Sequence, residues 1–276
     1  MQMVEKYSKI TMDKSTGCAG WEMLKMHAHN DHELYFLVEG KRRYFIEDTL
    51  FDVTTNDLIL IPKTKLHRTL INGDGKHTRY VVYFDHGMVQ TLIDRVGAEA
   101  FEKLMQCSCL QLPPEAARQI RSKLDEMYLQ QRTPDEYSHV VNTYLLENIL
   151  LLAIRYGTPK QPIAGKGISK MQEVAHYINK NLALPISLKD AAEIAHMEAT
   201  YFSKSFKAAT GEGFQEYLTK VRLRKAEQLL AHSDMLIGKI AGVCGFSTAN
   251  HFSDVFRRWN GVSPTQYRKH LKNHHL

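Results

Sequence analysis

The sequence predicts an α+β multidomain chain. It should have a small β-barrel or sandwich in front, a helical hairpin behind it, and an all-α back domain of two helix-turn-helix units. Three observations carry this. Short β-branched and aromatic runs recur up to Phe84; the apolar period changes to three and four after Pro113; and the last hundred or so residues contain a repeat at an offset of 50.

At 276 residues the chain has room for two domains of ordinary size, and 43% hydrophobic with 24% charged residues is a globular composition. The longest apolar run, Ile149 to Ile154, is too short to span a bilayer, and the first residues lack a basic-then-apolar signal pattern. A cytoplasmic protein with no membrane partner is expected. Cys18, Cys107, Cys109 and Cys244 are too few for a disulfide scaffold, and Cys107-x-Cys109 has no second ligand pair at zinc spacing. Reduced thiols follow.

Along the front, Leu34–Val38 is followed by an expected turn at Glu39-Gly40 and by Arg43–Ile46; Asp57–Ile61 ends at Pro62, and Tyr80–Phe84 is a further strand. A helix is expected from Pro114 to before Thr133-Pro134, and a second from there to Tyr156, closed by Gly157. The second helix aligns Val141, Leu145, Ile149 and Leu152, with Leu146, Leu150 and Ile154 on an adjoining stripe. That is more apolar surface than one barrel face needs, so a homodimer is expected through this hairpin. Two Pro and two Gly without periodicity mark a linker over 158–167. The boundaries are therefore a barrel at 1–112, a hairpin at 113–157, the linker, and a helical domain at 168–276.

In the repeat, Tyr201-Phe-Ser-Lys-Ser-Phe-Lys207 lies over His251-Phe-Ser-Asp-Val-Phe-Arg257, Gly211 over Gly261, and Tyr217 over Tyr267. In each copy a helix with a small residue (Ala192; Ala241) comes first, then a turn at His196-Met197 or Gly245-Phe246, then an amphipathic helix. Phe202, Phe206 and Ala209 form one apolar face, and Phe252, Val255, Phe256 and Trp259 the other. The opposite faces carry Thr200, Ser203, Lys204 and Lys207, and Asn250, Ser253, Asp254 and Arg257, side chains that donate to or accept from base edges and phosphates. From Lys166 onward there are 16 Lys and Arg against 9 Asp and Glu, of 36 and 30 in the whole chain. A basic back half behind a neutral front half fits a polyanion partner, double-stranded DNA.

The stretches Asp190–Lys207 and Ile240–Arg268 resemble the two helix-turn-helix halves of the AraC/XylS, or arabinose-operon regulator, family; the second is the family's signature. The resemblance covers about Ile168 to His270. It implies seven helices, a long one joining the two units, and both reading helices in successive major grooves roughly 34 Å apart. It also implies a transcription activator that works with RNA polymerase under a small-molecule effector. Two departures stand out: Glu198-Ala199 replaces the usual Ser-Pro, a weaker cap, and Asp254 stands where a base is common.

In the front domain, His27-x-His29-x-x-x-Glu33 with Gly40 resembles the first cupin motif. Asp57, Pro62 and His67 resemble the second, with Thr64 at its glycine position. In cupin enzymes the matching His, His, Glu and His hold a metal; regulators of this family keep a metal-free barrel that binds a sugar or similar molecule. The expected effector residues are His27, His29, Glu33, Tyr35, Tyr44 and His67, with the tyrosines stacking on a sugar face and no metal or cofactor. His32, His77 and His86 read as surface or structural. No catalytic triad, phosphate loop or carboxylate pair is present, so no catalytic residue and no enzyme is expected. The alternatives are a cupin metalloenzyme fused to a DNA-binding domain, and a regulator controlled by a protein partner.

Overall fold

The computed structural model describes residues 10–17, 26–72, 76–163 and 168–274. Cys18 lies outside them. The chain divides into two units, Met1–Ala164 and Gly165–Leu276.

The first unit begins with β1 (Thr11–Gly17), β2 (His32–Ile46), β3 (Thr49–Thr54), β4 (Asp57–Ile61), β5 (His67–Ile71) and β6 (His77–Phe84). After α1 (Gln90–Val96) and α2 (Ala98–Gln106) come β7 (Cys109–Gln111), α3 (Pro114–Arg132), α4 (Ser138–Tyr156) and β8 (Thr158–Pro159). All pairs are antiparallel, in the order β1-β6-β2-β4-β7-β8, and the far half of β2 also pairs β3 and β5. Strand alternation gives β2 two faces. Leu34, Phe36 and Val38 pack under the helices, and Tyr35 and Leu37 point into the barrel with Tyr44, Ile46 and Phe51. Burial on both faces is why these strands read as continuous apolar runs.

The expected turn at Glu39-Gly40 does not form. β2 runs through it, with a register shift between Leu37 and Glu39. Gly40 has φ +102°, and a Cβ there would lie 2.2 Å from the Lys76 carbonyl oxygen, so the glycine serves a strand bend rather than a hairpin. The sequence reading also passed over α1 and α2, whose Leu92, Ile93, Phe101, Leu104 and Met105 are buried against the sheet. The apolar stripe offered for dimerisation is largely spent inside the unit. Leu146, Ile149, Leu150 and Leu152 belong to the core, and Val141 and Leu145 are only partly exposed. Burial wins because α4 packs against α2, α3 and the short helical turn His86–Val89, sharing one core with the sheet.

The first residues of the expected linker are strapped to the barrel. Thr158 and Pro159 pair with β7, the Lys160 amide donates to the Cys109 carbonyl at 3.0 Å, and Ile163 N–H donates to the Leu50 carbonyl at 2.8 Å. The Lys160 ammonium also meets the buried Asp57 carboxylate. A free edge on β7 had unmet backbone groups, and the chain leaving α4 satisfies them. Residues 164–167 lie outside the described residues.

The second unit holds α5 (Ile168–Lys180), α6 (Leu188–Ile194), α7 (Ala199–Thr210), α8 (Phe214–His232), α9 (Ile237–Val243), α10 (Ala249–Asn260) and α11 (Pro264–His274). Ser187 and Asp190 form a reciprocal capping box at the start of α6. Phe202, Phe206, Phe252 and Phe256 are fully buried, each contributing roughly 1.5–3 kcal/mol of burial. Phe206 stacks edge-on to Tyr217 at 5.3 Å and Phe256 to Tyr267 at 5.4 Å, so the repeat in sequence is a repeat in packing. Trp259 departs from its expected core place: it is 39% exposed, with the Lys220 ammonium 5.6 Å from its ring centre. No helix among the described residues is long and apolar enough to cross a membrane.

Candidate functional site

Each outward-facing helix of the second unit is aimed by its turn. The amides of Met197 and Phe246 donate to the carbonyls of Ala192 and Ala241, both at 2.9 Å. Both turns need a left-handed residue: Gly245 has φ +77° and His196 φ +51°. Gly245 is doubly required, since a Cβ would sit 2.1 Å from the Leu182 carbonyl oxygen. Glu198, expected to cap poorly, accepts from the amides of Thr200 and Tyr201 at 2.8 and 3.1 Å. Its longer side chain still reaches the first-turn donors, and its charge suits the helix N-terminus. Thr248 does the same for α10 through the His251 amide at 3.1 Å.

Thr200, Lys204 and Lys207 on α7 are exposed and Ser203 half-buried; Asn250, Asp254 and Arg257 on α10 are exposed and Ser253 half-buried. Among the described residues Lys204 and Lys207 have no carboxylate within ion-pair distance. Arg257 has Asp254 at 3.5 Å on its own helix.

In the first unit, four side chains converge at the end of the barrel. His27 bridges His67 backbone to backbone, at 3.0 and 2.9 Å, which brings the segment before β2 against β5. The His29 and His67 Nε2 atoms lie 3.0 and 3.3 Å from the same Glu33 carboxylate oxygen. Their Nδ1 atoms donate to the carbonyls of Asp31 at 2.7 Å and Lys65 at 2.9 Å. Thr64, at the motif's glycine position, adopts φ +70° and donates its amide to the His29 carbonyl at 2.8 Å. Glu33 and His67 are buried, while His27 and His29 are half-buried, which leaves the cluster an approach from one side. Burial raises the Glu33 carboxyl, but the His29 and His67 imidazoles against it outweigh burial and hold the group well below the usual carboxylate range. Burial, then the neighbouring His67, pushes His27 down to about 4. One donor atom from each of His27, His29, Glu33 and His67 lies within 4.8 Å of the others. Three imidazoles and a carboxylate at that spacing fit a divalent transition ion.

Tyr35 and Tyr44 are deeper than expected. Each is 1% exposed and they pack edge to face at 4.9 Å, so neither presents an open face for stacking. Their hydroxyls are what they bring: Tyr44 donates to Glu33 at 3.5 Å, and the Tyr35 hydroxyl is buried without a hydrogen-bond partner among the described residues. Burial pushes both phenols up. His32 and His77 are buried and His86 is exposed. The sequence reading missed Tyr83, whose ring is 5.0 Å from His29, and Arg79, 5.8 Å over the Tyr35 ring. The signal was present in the alternation of β6, whose register pairs Tyr83 with Glu33 and Val81 with Tyr35.

Residues 14–151 match the family of the AraC-like ligand binding domain, and residues 191–270 match a helix-turn-helix domain family. The HTH-type transcriptional activator RhaR of Pectobacterium atrosepticum is 32% identical over 254 residues, spanning 90% of this chain and 87% of that protein. RhaR of Pectobacterium carotovorum subsp. carotovorum is 27% identical over the same spans. Among solved structures, the DNA-binding domain of AdpA in complex with a target DNA covers 37% of this chain and 92% of that chain, at 29% identity and TM-score 0.36. A doubled helix-turn-helix frame joined to a ligand-binding barrel, matched along nearly the whole length of such regulators, places this chain in the AraC family of transcription regulators.

Proposed function

We propose that this regulator activates transcription by reading DNA with α7 and α10 under the control of a small molecule held in the barrel. The repeat carries the DNA part: two helices on one frame turn Thr200, Ser203, Lys204 and Lys207, and Asn250, Ser253, Asp254 and Arg257, outward from a phenylalanine core. Lys204 and Asn250 contact bases, and Lys207 and Arg257 contact phosphates. The effector is a sugar or a related polyol, held by His27, His29, Glu33, His67 and the hydroxyls of Tyr35 and Tyr44. The relatives named as transcriptional activators support activation, which implies contact with RNA polymerase in the cytoplasm; no enzymatic step is assigned.

The protein acts as a homodimer, but through a different surface from the α4 stripe. Apart from Tyr156 at the far end of α4, the large apolar side chains left exposed on the hairpin are Leu129, Tyr137, Val140 and Tyr144, near the turn between α3 and α4. Footprinting of the full chain on its operator, with and without a library of sugars, tests the proposal. Two protected major-groove segments about one helical turn apart, altered by one sugar, are expected. A single protected segment, or protection that no small molecule changes, would sink it.

A further inference from the structure

We propose that His27, His29, Glu33 and His67 hold one divalent transition-metal ion, and that the effector binds the barrel as an oxygen donor to that ion. The metal site goes beyond the function above; its regulatory meaning rests on the effector reading.

Donor and acceptor accounting makes the case. A backbone carbonyl can only accept, so the His29 Nδ1 facing Asp31 O and the His67 Nδ1 facing Lys65 O both carry hydrogen. A neutral imidazole with hydrogen on Nδ1 has only a lone pair at Nε2. Both Nε2 atoms nevertheless point at one Glu33 oxygen, 3.0 and 3.3 Å away, which is also an acceptor. Acceptors aimed at one another in a buried site are costly unless a cation lies among them. Two imidazolium rings could supply the charge, but their centres would be 5.0 Å apart and His27 would lie 4.1 Å from His67. A single divalent ion satisfies every lone pair without crowding cations. The outer contacts suit that role as well: a ligating histidine ordinarily donates its other N–H to a carbonyl or carboxylate, as His29 and His67 do here, and the Glu33 carboxylate is further held by Tyr44.

The donor types favour zinc, nickel, cobalt, iron or manganese over calcium or magnesium, which prefer oxygen ligands throughout. Four protein donors leave roughly two positions of an octahedral ion open. Those positions suit a small molecule with two adjacent oxygens, such as a vicinal diol or hydroxy acid.

The test uses untagged full-length chain, stripped by chelator and titrated with Co(II). One visible-absorbing Co(II) per chain is expected, displaced by Zn(II), with affinity lowered at least about ten-fold in Glu33→Gln and His29→Gln. His29 is about one-fifth exposed, so its variant keeps the test open should Glu33→Gln misfold; circular dichroism confirms folding. A folded, stripped chain that takes up no Mn(II), Co(II), Ni(II) or Zn(II) overturns the site, as does binding unchanged in both variants. An effector that binds the metal-free chain with full affinity removes the ion's part while regulation by a small molecule stands. Stoichiometric metal with no small molecule altering DNA binding keeps the site and removes the effector reading.

Discussion

The two helices proposed to read DNA, α7 and α10, are twelve residues each and packed through equivalent pairs of buried phenylalanines, yet their outward faces differ in chemistry. α7 offers Lys204 and Lys207 without carboxylate neighbours among the described residues. α10 offers Asn250 and an arginine whose charge is partly answered by Asp254 at 3.5 Å. The turns differ too. One is held left-handed by a histidine and the other by a glycine, and the second is one residue longer from its left-handed position to the first phenylalanine of the following helix. A duplicated frame conserves core geometry because packing is sensitive to single methylenes. The outward face has no such constraint and is free to diverge. The α7 copy should supply more of the electrostatic affinity and the α10 copy more of the discrimination.

The largest expected effect breaks the symmetry of the turns. Gly245→Ala imposes a left-handed penalty of roughly 1–2 kcal/mol and an overlap with the Leu182 carbonyl oxygen besides, so the loss should exceed about 2 kcal/mol in chemical denaturation of the second unit. A loss below that would mean that the loop before α6 yields easily. Next come the side chains proposed to read bases: Lys204→Ala and Asn250→Ala should each cost about 1–3 kcal/mol on the operator and relax preference at one base position, measured by fluorescence anisotropy across single-base variants.

A smaller effect separates the two proposed phosphate contacts. Lys207→Ala should lower the slope of log K against log salt by about one, whereas Arg257→Ala should lower it by less, because Asp254 already screens that charge. Asp254→Asn should move the arginine toward the lysine's behaviour and strengthen binding to all sequences. Equal slopes for the two alanine variants would remove the claimed difference between α7 and α10. The smallest effect is a gain: His196→Gly relieves the left-handed strain and should raise stability by at most about 1 kcal/mol, offset in part by backbone entropy. No change or a loss in melting temperature would show that the histidine side chain earns its place by other contacts.

Local pattern was enough for the duplicated unit, since its signals all lie within short stretches. The phenylalanines at three- and four-residue spacing, the small residues at the crossings and the Gly245 turn each act over fewer than twenty residues. Trp259 was misjudged because helical spacing says which side chains share a face, not how far that face extends under its neighbours; at the edge of the stripe the tryptophan stays 39% exposed. Glu198 was misjudged because cap preferences are averages, and a flexible carboxylate reaches the same two amides when the turn aims it.

By itself the sequence determined the two-part plan and the helix-turn-helix repeat, because periodicity, turn chemistry and spacing are written locally, and the resemblance of two separate segments to cupin motifs grouped His27, His29 and Glu33 with His67. Tertiary structure alone decided what was covered and what faced what. It buried the α4 stripe that a sequence reading leaves for a partner, folded 158–163 onto the barrel edge, and closed Tyr35 and Tyr44 against each other. It also set the histidine Nε2 atoms against a single carboxylate oxygen. These outcomes depend on contacts between residues from four to more than a hundred positions apart, and their energies are settled by competition among buried surfaces and unmet hydrogen bonds that no local pattern records.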